Sequence, residues 1–309
     1  MISVIVIGKN EGERLSACLR SVQDALGVLA HEVLYVDSCS TDNSIERAHE
    51  LGARCYLLAE PRTTAGLGRF VGAKEARGEY LLFLDGDMLL CPGFAERAMM
   101  AMASGGYDGV CGIREDLYLC DGQVVSRNAN YFGCTRERIA PEFGGALFIS
   151  AEALSCCGGW SADTVACEEA ELYARLKDVG CRIVEIPVPM ITHVDGVRDQ
   201  RGIWGVIFSR RRLGEGQAFR CALARGKARA YVRHERAKFA LYALDWMCVL
   251  LLFTGIFGLL ACCLIQSMQM GLLLSRGRVR AFVSQKLFFF AFPLGLCTYR
   301  VRSRAYAAV

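Results

Sequence analysis

Tyr80-Leu81-Leu82-Phe83-Leu84-Asp85-Gly86-Asp87 is an apolar run that stops at two carboxylates one residue apart. The run reads as a buried strand, so Asp85 and Asp87 are delivered to its C-terminal mouth. In open α/β sheets that edge is where ligands bind, and paired hard oxygen donors suit a divalent cation carrying a diphosphate. A plain strand ending in an Asp-Gly turn has the same local sequence. The rest of the N-terminal half decides between the two.

Two more apolar runs end in polar clusters: Ile2 to Ile7 before Gly8-Lys9-Asn10-Glu11, and Glu32 to Val36 before Asp37-Ser38-Cys39-Ser40-Thr41-Asp42. Between them, Leu15, Cys18, Leu19 and Val22 have helical spacing, as does the stretch from Asn43 to Leu51. Strands alternating with helices predict a parallel α/β sheet with crossover helices.

Further along, Phe143-Gly144-Gly145-Ala146-Leu147-Phe148-Ile149 enters a strand and Cys157-Gly158-Gly159-Trp160 follows it. Gly144 and Gly145 let a sugar approach the backbone, and the Trp160 indole suits stacking on a pyranose, so the three form an expected acceptor or sugar wall. A packed aromatic after a turn is the plainer use of Trp160. In Cys167-Glu168-Glu169-Ala170-Glu171-Leu172-Tyr173-Ala174-Arg175-Leu176, helical geometry puts Glu169 on the stripe of Leu172 and Leu176. That makes Glu169 the expected general base, with Glu168 as fallback, because burial raises a carboxyl pKa toward the useful range. Glu168, Glu171 and Arg175 share another face and read as solvated charge with ordinary pairing. His193 follows a strand-like run from Cys181 to Ile191, and its imidazole suits completing the coordination of a metal held at Asp87.

The segments Ser3-Val4-Ile5-Val6-Ile7-Gly8-Lys9-Asn10-Glu11, Val36-Asp37-Ser38-Cys39-Ser40-Thr41-Asp42-Asn43-Ser44 and Leu84-Asp85-Gly86-Asp87, in this order and spacing, resemble the inverting family 2 glycosyltransferases of GT-A fold, in their bacterial membrane-associated form. The resemblance implies that Asn10, Glu11, Asp37 and Ser38 hold the base and ribose of a nucleotide-sugar. It also implies that Asp85, Gly86 and Asp87 hold Mn2+ or Mg2+ on the diphosphate. The stretch from Gly66 to Tyr80 resembles the family too, which implies that Arg69 lies near the nucleotide, although many members have Asn where this chain has Phe70. Family members often carry Glu-Asp at the position of Glu168-Glu169, with the aspartate deprotonating the acceptor, so Glu169 takes that place here.

The overall charge of +4 hides an asymmetry. Residues 1–195 hold 17 Lys and Arg against 28 Asp and Glu, residues 196–238 hold 12 against 3, and residues 239–309 hold 7 against 1. The basic connector, with Arg210-Arg211-Arg212 and interspersed Trp204, Phe208, Phe219 and Tyr231, suits anionic headgroups or a lipid-phosphate acceptor. Adjacent apolar segments argue against nucleic acid as the partner. Trp246 to Ile265 is uncharged and long enough for a transmembrane helix, with Asp245 expected at the headgroup edge. Leu287 to Tyr299 is shorter and carries Pro293, and a hairpin-like anchor would keep the flanking arginines on one side. Sixteen cysteines without Cys-x-x-Cys spacing, behind an N-terminus lacking a charged leader, read as reduced thiols in a cytoplasmic domain.

The sequence therefore predicts a GT-A-like α/β domain over 1–195, a basic amphipathic connector over 196–238 and a helical membrane anchor over 239–309. The expected activity is inverting transfer of a hexose from a UDP-linked donor to an envelope polysaccharide or lipid-linked acceptor, at the inner face of a bacterial membrane. A sugar nucleotidyltransferase is the alternative within the fold, and a non-catalytic nucleotide-sugar-binding scaffold the alternative outside catalysis. Gly8-Lys9-Asn10-Glu11-Gly12 is a poor phosphate loop for the former. The absence of Gln-x-x-Arg-Trp points to single addition.

Overall fold

The computed structural model describes residues 1–59, 63–120, 122–196, 209–274 and 279–309. Arg198, Trp204 and Phe208 of the connector, and Arg276 and Arg278, lie outside the described residues.

The three polar-ended runs are adjacent strands. β1 (Ile2–Gly8) lies between β2 (His31–Asp37) and β4 (Tyr80–Asp85), parallel to both, and the register pairs Ile7 with Val36 and Asp85 and Gly8 with Asp37. The three polar clusters thus leave the sheet at one edge. Crossovers are made by α1 (Glu13–Leu26), α2 (Ser44–Glu50) and α3 (Ala65–Glu75), with β3 (Arg54–Leu58) outside β2. α3 sits close on β1 because Gly68 and Gly72 have no side chain; a Cβ on Gly72 would lie 2.2 Å from Ile5 Cγ2.

The second half of the sheet is mixed. β5 (Met88–Leu90) follows Asp87, α4 (Phe94–Gly105) leads to β6 (Gly109–Cys120), and β7 (Gln123–Asn128) folds back on β6. Next come β8 (Arg138–Ile139), β9 (Leu147–Ser150), α5 (Ala151–Cys156), α6 (Glu168–Asp178) and β10 (Ile183–Gly196). β9 joins β4 to β6 antiparallel, β10 runs parallel to β6, and β5 pairs antiparallel with β10. The order is β11-β3-β2-β1-β4-β9-β6-β10-β5, where β11 is the C-terminal Tyr306–Ala308. The last residues of the chain therefore belong to the sheet edge, pairing antiparallel with β3, and not to the helical region in which the sequence reading put them.

After residue 209 the chain is helical: a 3-10 turn at Arg210–Leu213, then α7 (Gly214–Ala224), α8 (Ala228–His234), α9 (Arg236–Leu251), α10 (Ile256–Leu274) and α11 (Val279–Thr298). α7 and α8 lie on α6, where Ala174, Ala218, Ala222 and Tyr231 form a second small core. α7 and α11 cross backbone to backbone; a Cβ on Gly216 would sit 2.2 Å from the Phe292 carbonyl oxygen. Phe219, Tyr231, Phe239, Tyr242 and Phe292 fill the space between these helices.

Trp246 to Ile265 is not one helix. The chain turns at Leu252–Thr254 and Gly255, whose φ of +79° favours glycine, so the stretch forms the corner between α9 and α10. Arg236–Thr254 is the one segment among the described residues that is long and apolar enough to cross a membrane, by length and composition. Asp245 is buried and accepts hydrogen bonds from Gln266, Gln285 and Lys286 on the neighbouring helices. All sixteen cysteines are free thiols.

Candidate active site

A cleft of about 590 Å³ opens where β1, β2 and β4 end. Its lining includes Lys9, Glu11, Ser38, Arg69, Asp85 and Asp87. Asn10, Cys39 and Cys167 are the non-glycine residues with left-handed backbone among the described residues, and all three sit on loops around this cleft. Such conformations persist where surrounding contacts impose them, and they gather at functional sites.

Asn10 is exposed and stitches two loops together: its N–H donates to Ser40 Oγ (2.8 Å) and its Oδ1 accepts from Thr41 N–H (2.7 Å). Asp37 is fully buried, accepting from Tyr35 Oη (2.9 Å), Ser40 N–H (2.7 Å) and Ser40 Oγ (2.5 Å). It shapes the loop, and Ser38 is the residue beside it that lines the cleft. Gly86 N–H donates to the Ile7 carbonyl (2.8 Å), which turns the chain between the two aspartates.

Arg69 is buried from α3 into a ring of carboxylates. Its Nη2 meets Asp85 Oδ1 at 2.8 Å, and its Nη1 meets Glu168 Oε1 at 2.9 Å and Glu169 Oε1 at 3.4 Å. The guanidinium therefore ties the end of β4 to the start of α6, far from the solvated arginine of an ordinary helix. Burial works against its charge, and Asp85, Glu169 and Glu168 outweigh that and hold it protonated. Gly145 lies close against this pair: a Cβ there would be 2.7 Å from Asp85 Oδ2 and 2.9 Å from Arg69 Nη2, so one of the two side-chain ends would have to shift. Trp160 is not a wall of the cleft. It is 1% exposed, packs on Phe83 and Phe143, and supports Arg69 from behind with the guanidinium carbon 4.9 Å from its ring centre.

The face assignment of α6 is also corrected. Glu168, Glu171 and Arg175 are buried: Glu168 turns to Arg69 on α3, and α7 and α8 pack on α6 beside Glu171 and Arg175. Glu171 and Arg175 form a two-pronged ion pair (2.8 and 2.6 Å), and Arg175 also donates to the Cys157 carbonyl. Glu168 is pushed up to about 7 by burial and by the charge of Glu169, against the pull of Arg69. Glu169 is the more accessible, with 29% of its side chain exposed. It lines the cleft and also an adjoining cavity of about 400 Å³ that takes in Glu142, Gly144, Tyr173, His234 and Lys238.

β5 and β10 bring His193 to Asp87. His193 pairs with Met88 across the strands, and its Nε2 lies 3.4 Å from Asp87 Oδ2. On the other ring nitrogen, Nδ1 has Asp116 Oδ1 at 3.3 Å and Arg114 Nη2 at 3.1 Å, while Arg114 Nε donates to Asp116 (2.6 Å). Burial pushes the Asp87 carboxyl up, but the hydrogen bond and charge of His193 prevail and hold it below its ordinary range. For His193 burial pulls down and Asp87 prevails, raising it. Asp87 Oδ1 is buried with no hydrogen-bond partner. An orphaned carboxylate oxygen beside an imidazole whose far nitrogen faces a carboxylate is a donor set suited to a divalent cation. Among the described residues no three His, Cys, Asp or Glu side chains cage a metal by themselves, so the remaining positions would fall to ligand oxygens or water. Asp85 differs from Asp87 in giving one oxygen to Arg69. Arg114 and Asp116 carry no signal in the sequence and are set beside His193 only by the β6–β10 register, which pairs His193 with Asp116; Lys9, read as part of a poor phosphate loop, and Arg211, read as part of the basic connector, line the cleft.

Residues 3–161 match the profile of Glycosyl transferase family 2, about half of the chain. The chain belongs to that family. Among curated relatives, this family 2 chain is 32% identical over 107 residues to a dolichol-phosphate mannosyltransferase of Pyrococcus furiosus, covering 34% of this chain and 30% of that one. It is 29% identical over 131 residues to the glycosyltransferase AglE of Haloferax volcanii, covering 41% and 43%. The matched part thus spans less than half the length of either relative. Among solved structures, the mannosyltransferase PcManGT from Pyrobaculum calidifontis, in complex with GDP-Man and Mn2+, superposes with a TM-score of 0.60 at 18% identity, covering 96% of this chain and 87% of that one. TarS of S. aureus gives 0.53 at 15% identity, covering 72% and 43%. GalNAc-T7 with UDP, GalNAc and Mn2+ gives 0.53 at 14%, covering 63% and 44%. At these identities the likeness is one of fold, the GT-A fold, and through PcManGT it extends over the C-terminal helices. Glu168 and Glu169 lie beyond the stretch matched by the family profile.

Proposed function

We propose that this family 2 chain is a membrane-associated glycosyltransferase that moves a hexose from a nucleoside-diphosphate sugar to an acceptor hydroxyl in a single displacement with inversion. The observation that carries this reading is the Arg69 bridge, which sets the Asp85–Asp87 strand end against Glu169 across one cleft. The nucleoside is assigned to the loops after β1 and β2, lined by Lys9, Glu11 and Ser38. Asp87 and His193 would hold the divalent cation, with the Asp85 oxygen that Arg69 does not take assisting. When bound, Mn2+ or Mg2+ supplies positive charge to the diphosphate that leaves with the bonding electrons.

Glu169 takes the proton of the acceptor hydroxyl; its oxygen forms a bond to the anomeric carbon as the bond from that carbon to the diphosphate oxygen breaks, and configuration inverts. Its position between the donor cleft and the cavity of Glu142, Tyr173 and His234 is where such a base has to stand. Arg69 holds Glu169 in place and offsets its charge against Glu168 and Asp85. Gly144 and Gly145 leave room for the sugar. The mannosyl names among the relatives and the UDP and GDP-Man of the structural neighbours support a nucleotide-linked hexose as donor.

The test is release of nucleoside diphosphate from a panel of UDP- and GDP-hexoses by detergent-solubilised protein, with Mn2+ or with chelator. Metal-dependent release from one donor is expected, with Glu169→Gln slower by about 100-fold or more while donor binding persists. Turnover by Glu169→Gln equal to wild type would remove Glu169 as the base.

A further inference from the structure

After α11 the chain runs back along α3. Asp163, buried in the loop that leads into α6, holds this returning segment: it accepts from Tyr299 Oη (3.5 Å) and Arg302 N–H (2.9 Å) and pairs with Arg304 Nη2 (3.6 Å). The Arg304 guanidinium lies over Phe70, its carbon 4.7 Å from the ring centre. Further on, Tyr306 Oη donates to Glu75 (2.5 Å), Lys74 Nζ stands 5.2 Å from the Tyr306 ring centre, the Ala305 carbonyl accepts from Ala59 N–H (3.0 Å), and β11 pairs with β3. Phe70, Lys74 and Glu75 are about one helical turn apart, so the segment grips one side of α3 while Gly68 and Gly72 seat another on β1.

α3 needs such support. Three of its eleven residues are glycine, each less favourable in a helix than alanine by about 1 kcal/mol. The same helix carries Arg69, next to Phe70, which reaches Asp85, Glu168 and Glu169. Arg69 joins α3 to the start of α6, and Arg304 joins the same two parts a second time, through Phe70 on α3 and Asp163 before α6. Two arginines thus set one separation. Arg304 is 43% exposed at its side chain, so its ion pair adds little to stability, and its effect lies in placement.

We infer that Arg304 and Phe70 are positioning residues for the transfer step: Arg304, anchored on Asp163, clamps Phe70 and so fixes Arg69, and through Arg69 the carboxylate of Glu169. Neither residue lines the donor cleft. The cation is attracted to the face of the ring, and the ring's place on α3 passes to Arg69 across a single peptide bond. A shift of Arg69 moves Glu169 against the acceptor hydroxyl, and a small misplacement of a base costs rate more than it costs donor binding. The inference rests on the transferase reading for the role of Glu169, whereas the clamp itself does not depend on it.

Steady-state release of nucleoside diphosphate by the detergent-solubilised full chain, with Mn2+ and the UDP- or GDP-hexose that it turns over, tests the role. Hydrogen exchange of the amides of residues 69–73 tests the clamp without turnover. Arg304→Gln and Phe70→Leu are each expected to lower kcat about tenfold, with the donor KM within about twofold of wild type, and Arg304→Lys, which keeps a charge over the ring, to recover most of the rate. In Glu169→Gln, adding Arg304→Gln is expected to cost nothing further, because its effect runs through that carboxylate. Exchange of residues 69–73 is expected to quicken about tenfold in Arg304→Gln at an unchanged thermal midpoint. An unaltered kcat in Arg304→Gln, or the same loss in the Glu169→Gln background as in wild type, would overturn the positioning role. Unaltered exchange would overturn the clamp. Faster exchange in a protein that releases nucleoside diphosphate from no donor would leave the clamp standing and remove the transferase reading instead.

Discussion

At the scale of single residues, the site is organised by one buried guanidinium and the carboxylates that need it. Glu168 shows the consequence for pH. Its carboxyl is held near 7 in the folded chain, above the ordinary glutamate range, so between about 4.5 and 7 the native state binds a proton that the unfolded state has released. Stability therefore falls as pH rises through that window, by at most about 1.4 kcal/mol per pH unit. Glu168→Gln cannot titrate and is expected to flatten this slope, read as thermal midpoint against pH. An unchanged slope would assign the pH dependence elsewhere. Asp87 and His193 were legible one by one in the sequence, as a carboxylate after a strand and an imidazole after another. Their partners Asp116 and Arg114 were not, because nothing local announces that β6 runs alongside a strand some 77 residues later.

At the scale of elements, the alternation of apolar runs and helical spacing in the first 90 residues was enough to predict β1, β2 and β4 as strands of a parallel sheet, and their register, which only the structure gives, explains why three polar clusters meet. Helix faces were harder. α6 carries Leu172 and Leu176 toward the sheet, yet α7 and α8 pack on it beside Glu171 and Arg175, and periodicity in one helix does not reveal a second covering layer. Trp160 failed as a sugar wall for a similar reason, since a lone indole shows its neighbours only in three dimensions. The break at Gly255 was hidden inside a uniformly apolar stretch, and the three-residue β11 is too short for any pattern. α3 offers a direct check on how close approach positions Arg69. Gly72→Ala puts a methyl against Ile5, and the resulting shift of α3 is expected to cost about 1–3 kcal/mol and to weaken nucleoside diphosphate binding together with stability, measured by denaturant midpoint and calorimetry. Stability lost without any change in binding would separate the helix from the site.

At the scale of the whole molecule, the chain leaves the sheet, builds a helical layer on α6, extends an apolar hairpin and returns to the edge of β3. The hairpin corner exposes Phe253 and Phe257 at 85% and 81%. Single exposed apolar residues are ordinary, but a contiguous corner of Leu250, Leu252, Phe253, Ile256 and Phe257 is the kind of surface that lipid covers. Phe253→Ser/Phe257→Ser is expected to reduce partitioning onto phosphatidylcholine vesicles by about tenfold or more, at roughly 1.5–3 kcal/mol for each buried ring. Equal partitioning would rule out this corner as a membrane contact.

Asp87 and His193 are proposed to form the metal-assisted diphosphate end of a donor cleft. Calorimetry of UDP and GDP binding, with Mn2+ and with chelator, on wild type and Asp87→Asn tests it most directly, because it needs neither the donor sugar nor the acceptor. The account predicts that Mn2+ tightens binding of one of the two nucleotides by about tenfold or more in wild type, and that Asp87→Asn abolishes the gain. Affinity that is the same with chelator as with Mn2+, and the same in the variant as in wild type, would contradict it.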